Sequence, residues 1–434
     1  MKLMFKNAVV LLGEGRYLGD GYVVTDGKFI KSVSDSRPEG SFDREIDCRG
    51  KLLMPAFYNI HCHAAMTLFR GIGEDLPLQR WLNEKIYPAE DRLTPESVRV
   101  GTELAIAEMI RGGCVSFSDM YFFSDETANA VLEAGMKANI SRCLVSFDDN
   151  ATIRGDERFA EAARLVEEFH NSDDGRVKID MAVHAEYTNK EKYCREVADY
   201  THQHGLNMQV HVSETRLEHE ECMARNGGRT PVEFLLDAGI LKPQGGGTAT
   251  AAHCVWLTER DMELLAENEV TVAHNPVSNL KLASGVANVP KLLEKGVRVG
   301  LGTDGAASNN KLSVLRELQT AALIHKGVNL RADIIPTYEF IRMATESGAA
   351  AEGRHDCGRI ETGFRADLVL IDLDEINNIP MYDPYSAIAF SADTRDVALT
   401  MCDGRILFEN GEFKTLDIEK LRSEAKHTIS HYFD

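Results

Sequence analysis

Nowhere does the sequence run through the ~18 consecutive apolar residues that a membrane-spanning helix requires, so no membrane partner is expected. Its opening stretch, MKLMFKNAVVLLGEGR, carries two lysines but is too brief for a secretion-signal core. Gly-Glu-Gly-Arg ends it instead of a small-residue cleavage site, and it reads as a first β-strand. Cations are scarce: 48 Lys+Arg stand against 68 Asp+Glu, a net charge of −20. Phosphate binding needs clustered cations, so nucleic acid is not expected as a partner either. Proline is sparse at 12 residues, and 27% of the chain is charged against 44% apolar, which excludes extended disorder. The nine cysteines are odd in number, scattered from Cys48 to Cys402 and never spaced C-x-x-C. That argues against a disulfide framework or a thiolate metal site and fits reduced thiols in a cytoplasmic protein. H-E-x-x-H, G-x-x-x-x-G-K-[ST] and P-C-x-x-C are missing too.

What is present divides by period. GYVVTDGKFIKSV and VALTMCDGRILFENGEF each place β-patterned runs around an Asp-Gly step, at Asp26-Gly27 and Asp403-Gly404. Glycine supplies the positive φ of a primed hairpin turn, so two hairpins are predicted, with a further strand at ADLVLIDLD (366–374). Residues 1–54 and 359–434 are therefore expected to be β-rich and to form one small domain. Between them, in 55–358, short β-branched runs alternate with helical patterns. The clearest runs are 177–185, 206–214, 248–254, 269–275 and 297–304; helical stretches such as 231–240 and 289–296 carry a glycine suited to the C′ position. Sustained strand–helix alternation implies parallel strands in a closed barrel or a doubly wound sheet. One regularity favours a (β/α)8 barrel. His184, His211, His253, His274 and Asp304 fall at predicted strand ends, as do His61 and His63, and a barrel gathers such ends on one face.

His61-Cys62-His63 puts two imidazoles on one side of an extended strand, where both can face one ion, and turns Cys62 away. His202-Gln203-His204 has the same spacing but ends a helical run before Gly205, where a helix C-terminus accounts for it. His211 offers a third imidazole, with Glu214 beside it to move protons; a buried strand-end histidine and an exposed glutamate is the plainer reading. Asp304 offers a carboxylate. Three histidines, one aspartate and room for a water make a hydrolytic site, because a bound metal lowers the pKa of water from 15.7 towards ~7. GLGTDG (300–305) formally matches G-x-G-x-x-G and, alone, suggests a dinucleotide-binding oxidoreductase. Its late position, the polar AASNNK after it, and the lack of a second acidic strand end argue against that.

With these residues in view, the chain resembles the amidohydrolase superfamily. Pro55-Ala-Phe-Tyr-Asn-Ile-His61-Cys-His63, then HVSE, AAHC, HNPVSN and GLGTDGAASNN, follow its order over nearly the whole length. HCHAAMTLFRGIGEDLPLQRWLNEKIYPAEDRLT (61–94), with SNLKLASG, looks more narrowly like the S-adenosylhomocysteine/5′-methylthioadenosine deaminases. The resemblance implies a (β/α)8 barrel with a β-sandwich built from both termini. It implies one divalent metal, usually zinc, on His61, His63, His211 and Asp304; His184 in place of a bridging lysine favours a single ion, and Fe2+ or Mn2+ also suits such a donor set. His253 would orient the attacking hydroxide. Glu214 would carry a proton from the attacking water to N1 of an adenine ring, and Asp304 would pass another to the departing amine.

The same resemblance implies that Glu90 holds ribose hydroxyls, that His184 touches the nucleoside, and that Arg142 and Arg154 meet a carboxylate on the 5′ substituent. A small-molecule nucleoside is the expected partner and a homo-oligomer the expected assembly. Glu186, where relatives carry proline, and Trp256, where they carry histidine, are departures expected at the pocket rim. Deaminases of 5′-deoxyadenosine, aminodeoxyfutalosine or guanine, halotriazine hydrolases, and a barrel that binds nucleosides without turnover are the rival readings.

Overall fold

A computed structural model describes residues 1–433. Its centre is a parallel barrel whose strands we number in chain order: β1 (Phe57–His63), β2 (Cys114–Tyr121), β3 (Lys137–Leu144) and β4 (Val177–Ile179, resumed at Met181–Val183). β5 (Met208–Val212), β6 (Ala249–His253), β7 (Thr271–His274) and β8 (Arg298–Leu301, resumed at Asp304–Gly305) complete it. Each pairs in parallel with the next, and Asp304–Gly305 pairs with Cys62 and His63 of β1 to close the ring. β2 is buried at every position, as expected of a strand covered on both faces. Helices return the chain between strands. Thr94, Thr215, Thr230 and Thr258 each cap one through a side-chain hydrogen bond, and Gly239 and Gly296, at φ +85° and +83°, follow two of the predicted ones.

A separate nine-stranded sheet takes its strands from both ends of the chain, within residues 2–55 and 368–413. It encloses its own apolar core, including Leu3, Phe5, Val23, Leu368, Leu399 and Met401. Both predicted hairpins form. Asp403-Gly404 is the two-residue loop between Cys402 and Arg405, both residues at positive φ, whereas the first loop is Gly27-Lys28, because Asp26 still pairs with Phe29. The β-rich reading of 359–434 is incomplete: Pro384–Phe390 and Ile418–Phe433 are helices. The latter buries Leu421 and Ala425, one helical turn apart, and packs on helix Pro95–Arg111. Sheet and barrel are joined through buried charge. Lys137 on β3 lies 2.5 Å from Asp367 and 2.6 Å from Asp403, and the Tyr58 hydroxyl on β1 donates to Asp367 at 2.5 Å. Among the described residues no helix is long and apolar enough to cross a membrane.

The glycines of GLGTDG serve the barrel seam. A Cβ on Gly300 would lie 2.6 Å from Ile60 Cδ1; one on Gly302 would collide with Asn275 Oδ1 and come within 2.8 Å of His61 Cβ. Only a single helical turn, Ala306–Asn309, follows, so no long helix N-terminus awaits a pyrophosphate and the dinucleotide reading falls. Gly302→Ala is expected to cost about 1–3 kcal/mol through overpacking, read as a lowered urea midpoint.

One predicted strand-end histidine leaves the site. His274 is buried against helix Val314–Asn329, its Nε2 3.1 Å from Nε2 of His325, and neither Nδ1 has a partner. Burial pushes His325 down to about 4 and His274 well below its ordinary 6.5. Folding therefore favours the neutral rings. The contribution of each is complete above pH 6.5 and is lost as pH falls below it; for His325 the loss runs towards pH 4 and amounts to about 2 kcal/mol at pH 5. Urea titrations at pH 7 and pH 5 should show this loss, and His325→Asn should show a smaller one.

Candidate active site

The closure of β8 on β1 brings the remaining predicted groups together. Donor atoms of His61, His211, His253 and Asp304 lie within 4.8 Å of one another. His63 joins them, its Nε2 3.1 Å from Asp304 Oδ1 and 3.3 Å from His211 Nε2, while His61 Nε2 is 3.7 Å from the same carboxylate oxygen. Alternation along β1 works as expected, for Cys62 turns into the apolar core. The far nitrogens are anchored: His63 Nδ1 to the Met120 carbonyl at 2.6 Å, His211 Nδ1 to the His184 carbonyl at 2.7 Å, and His253 Nδ1 to Asn279 Oδ1 at 2.8 Å. Such anchors aim the Nε2 atoms inward and fix their tautomer. Ser278 and Ser308 hydroxyls donate to Asp304 Oδ2 at 2.6 and 2.8 Å, leaving Oδ1 for the cluster.

Both ring nitrogens of His61 are buried without a hydrogen-bond partner. Burial and the neighbouring His63 push that imidazole well below its usual range, and burial beside His184 does the same to His211. Burial alone would raise Asp304, but the His63 hydrogen bond and the imidazoles around it hold the carboxyl well below its ordinary value. Burial would lower His63, yet the Asp304 hydrogen bond raises it to about 9. Three imidazoles converging on a carboxylate, two of them held neutral and His61 orphaned, are a donor set that fits a divalent cation.

Glu214 stands beside this cluster. The turn after β5 throws it there: Ser213 takes φ +47°, and the Glu218 carboxylate accepts from the N–H groups of Ser213 and Glu214, both at 2.8 Å. One Glu214 oxygen accepts from the Ser284 hydroxyl at 3.1 Å; the other is 3.8 Å from His253 Nε2. Burial raises the Glu214 carboxyl, and the pull of Glu214 and Asp304 outweighs burial to raise His253. His253 and Asp304 also hold φ at +72° and +59°, a left-handed strain of order 1–3 kcal/mol each that is typical of functional positions.

These groups form the floor of a cavity of about 610 Å³. Glu90, Arg142 and His184 line its wall. Glu90 is pushed up to about 7 by burial, although a Tyr121 hydrogen bond opposes the shift; burial lowers His184 to about 4. Arg154 does not line this cavity but an adjoining hollow formed by residues 145–158. The arginine that does line it is Arg158, four residues on, with Glu161 beside it. Neither departure touches the cavity. Glu186 turns out to pair with Arg225 at 2.6 Å, and Trp256 donates to the Ser284 carbonyl at 2.7 Å, supporting the residue that holds Glu214. Sequence reasoning passed over Ser278, Asn279, Ser308 and Ser284, although their motifs were in view; as anchors of other side chains, they carry no spacing signature.

The pattern of the amidohydrolase family matches residues 52–407. A 5-methylthioadenosine/S-adenosylhomocysteine deaminase of Syntrophomonas wolfei is 39% identical over 432 residues, 99% of this chain and 98% of its own. A 5′-deoxyadenosine deaminase of Methanothermobacter thermautotrophicus is 43% identical over 398 residues, 92% of this chain and 91% of its own. The crystal structure of an adenosine deaminase from Xanthomonas campestris with bound zinc matches with TM-score 0.93 at 32% identity, covering 99% of this chain and 98% of that one. The chain belongs to the amidohydrolase family of hydrolases.

Proposed function

We propose that this enzyme removes the 6-amino group of adenosine-type nucleosides that carry a 5′-thioether. S-adenosylhomocysteine and 5′-methylthioadenosine would yield the inosine analogues and ammonia. The observation that carries the reading is Glu214, a buried carboxyl fixed beside the His/Asp cluster at the floor of a cavity with Glu90 in its wall. Mere binding would need no buried proton carrier there. His61, His63, His211 and Asp304 would hold one divalent ion, zinc by preference, whose Lewis acidity makes water a nucleophile at neutral pH. His253, fixed by Asn279, orients that water towards C6. Glu214 accepts the first proton from the water and delivers it to ring N1, so that the ring can accept the nucleophile. Asp304 would take the remaining proton of the oxygen added at C6 and pass it to the exocyclic amine, which departs as ammonia. Glu90 receives the ribose hydroxyls, a task absent from a free-base enzyme such as a guanine deaminase. The nine free, buried thiols support a cytoplasmic setting.

The relatives' names leave a second reading, 5′-deoxyadenosine deamination. Two arginines in the cavity wall favour a 5′ substituent that carries a carboxylate, as in S-adenosylhomocysteine, over that compact one. Ammonia release should be measured on S-adenosylhomocysteine, 5′-methylthioadenosine, 5′-deoxyadenosine, adenosine and guanine. The first two are expected to be the best substrates; silence on every adenosine compound would overturn the proposal. Glu214→Gln is expected to lower kcat by about 10²–10⁴-fold while thermal unfolding stays near the parent's. Stripping metal with a chelator should stop ammonia release, and zinc should restore it.

A further inference from the structure

The wall of the cavity holds Arg142, Arg158 and Glu161, charged groups that the ring chemistry does not use, and Asp91 also lines it. Arg142, from the end of β3, lies over the Phe122 ring at 4.9 Å and donates to its neighbour's carbonyl, that of Cys143, at 2.8 Å. Its Nε donates to Glu161 Oε2 at 2.7 Å. Arg158 donates to the Val145 carbonyl at 3.1 Å. Arg158 and Glu161 stand three residues apart on helix Glu157–Phe169, hence on one face, and all three side chains line the same cavity. Each guanidinium keeps N–H groups in reserve, since arginine has five, and Glu161 keeps its Oε1 as an acceptor.

A site for a simple carboxylate needs only the two cations. A carboxylate bonded to one of them weakens their pull on a plain anion, which is a poor design unless the ligand also brings a positive charge. Two positive groups and one negative group on a shared wall match the end of an α-amino acid, with its carboxylate and ammonium on one carbon. We propose that the outer cavity is a zwitterion site in which Arg142 and Arg158 take the carboxylate and Glu161 takes the ammonium. Glu161 is thereby the residue that separates amino-acid-bearing thioethers from those bearing an acid alone. This rests on the deaminase reading above.

The test compares kcat/KM for S-adenosylhomocysteine, its des-amino analogue and 5′-methylthioadenosine, in the parent enzyme and in Glu161→Gln. Each value is divided by the same protein's value on 5′-methylthioadenosine, which removes any general loss of folded enzyme. The parent should favour S-adenosylhomocysteine over the des-amino analogue by about tenfold or more, the scale of one charge-assisted hydrogen bond. Glu161→Gln should bring that ratio close to one. Equal handling of the two by the parent would overturn the proposal. So would a variant that loses both to the same degree, since Glu161 would then only brace Arg142. Absence of ammonia from all three compounds would refute the deaminase reading itself, and silence on 5′-methylthioadenosine marks that case.

Discussion

The site depends on one seam, where β8 breaks after Leu301 and resumes at Asp304 to pair with β1. The pairing sets Asp304 opposite Cys62 and Gly305 opposite His63, which fixes the carboxylate 3.1 Å from the His63 ring. Asn59 spans the break, accepting from the Thr303 N–H at 2.9 Å and donating to its hydroxyl at 2.8 Å. A buried glutamate then braces the two short helices beyond the seam. Glu317 accepts from the Val277 N–H at 3.0 Å and from the Asn309 side chain at 2.7 Å. Those helices, Pro276–Lys281 and Ala306–Asn309, carry the Ser278, Asn279 and Ser308 that position Asp304 and His253. The left-handed strain at Asp304 persists because this bracing over-determines it.

The same crowding sorts the charges. Several imidazoles cannot all be cationic in one buried volume, so His61 and His211 stay neutral while Asp304 stays anionic. Glu214, desolvated and without a close cationic hydrogen bond, is driven the other way. Two carboxyls of one site are thus shifted in opposite directions, Asp304 towards the anion that holds a cation and Glu214 towards the acid that can give up a proton. That division is what acid–base chemistry at neutral pH needs from two groups of the same kind.

Period and strand-end position made the barrel and its floor legible in the sequence. His61, His63, His211, His253 and Asp304 could be gathered because a parallel barrel converts strand ends into neighbours. His274 fits the same rule and still leaves the site, since a strand end has two faces and the row of histidines does not say which one each takes. GLGTDG was legible as a motif but not as a seam: its glycines answer to β1, some 240 residues away in the chain, and no local spacing encodes that approach. The terminal helix Ile418–Phe433 was lost in a β-rich assignment carried past the last strand, although its apolar positions recur at helical spacing.

The wall of the cavity was legible least, for a physical reason. The floor stands on strands whose register is fixed on both sides, whereas Glu90 stands on a single helical turn and Arg158 and Glu161 on the first turn or so of a helix that follows a long connection, where insertions cost little. A slip of four residues in such a segment exchanges Arg154 for Arg158 without changing any pattern that periodicity can detect. The two residues that seemed to bear on substrate choice, Glu186 and Trp256, are engaged elsewhere, one by Arg225 and the other by Ser284. Chemistry and selectivity are therefore carried by different parts of this fold. Relatives about 40% identical along nearly their whole length can share the deamination of an adenosine ring and still be named for different 5′ ends.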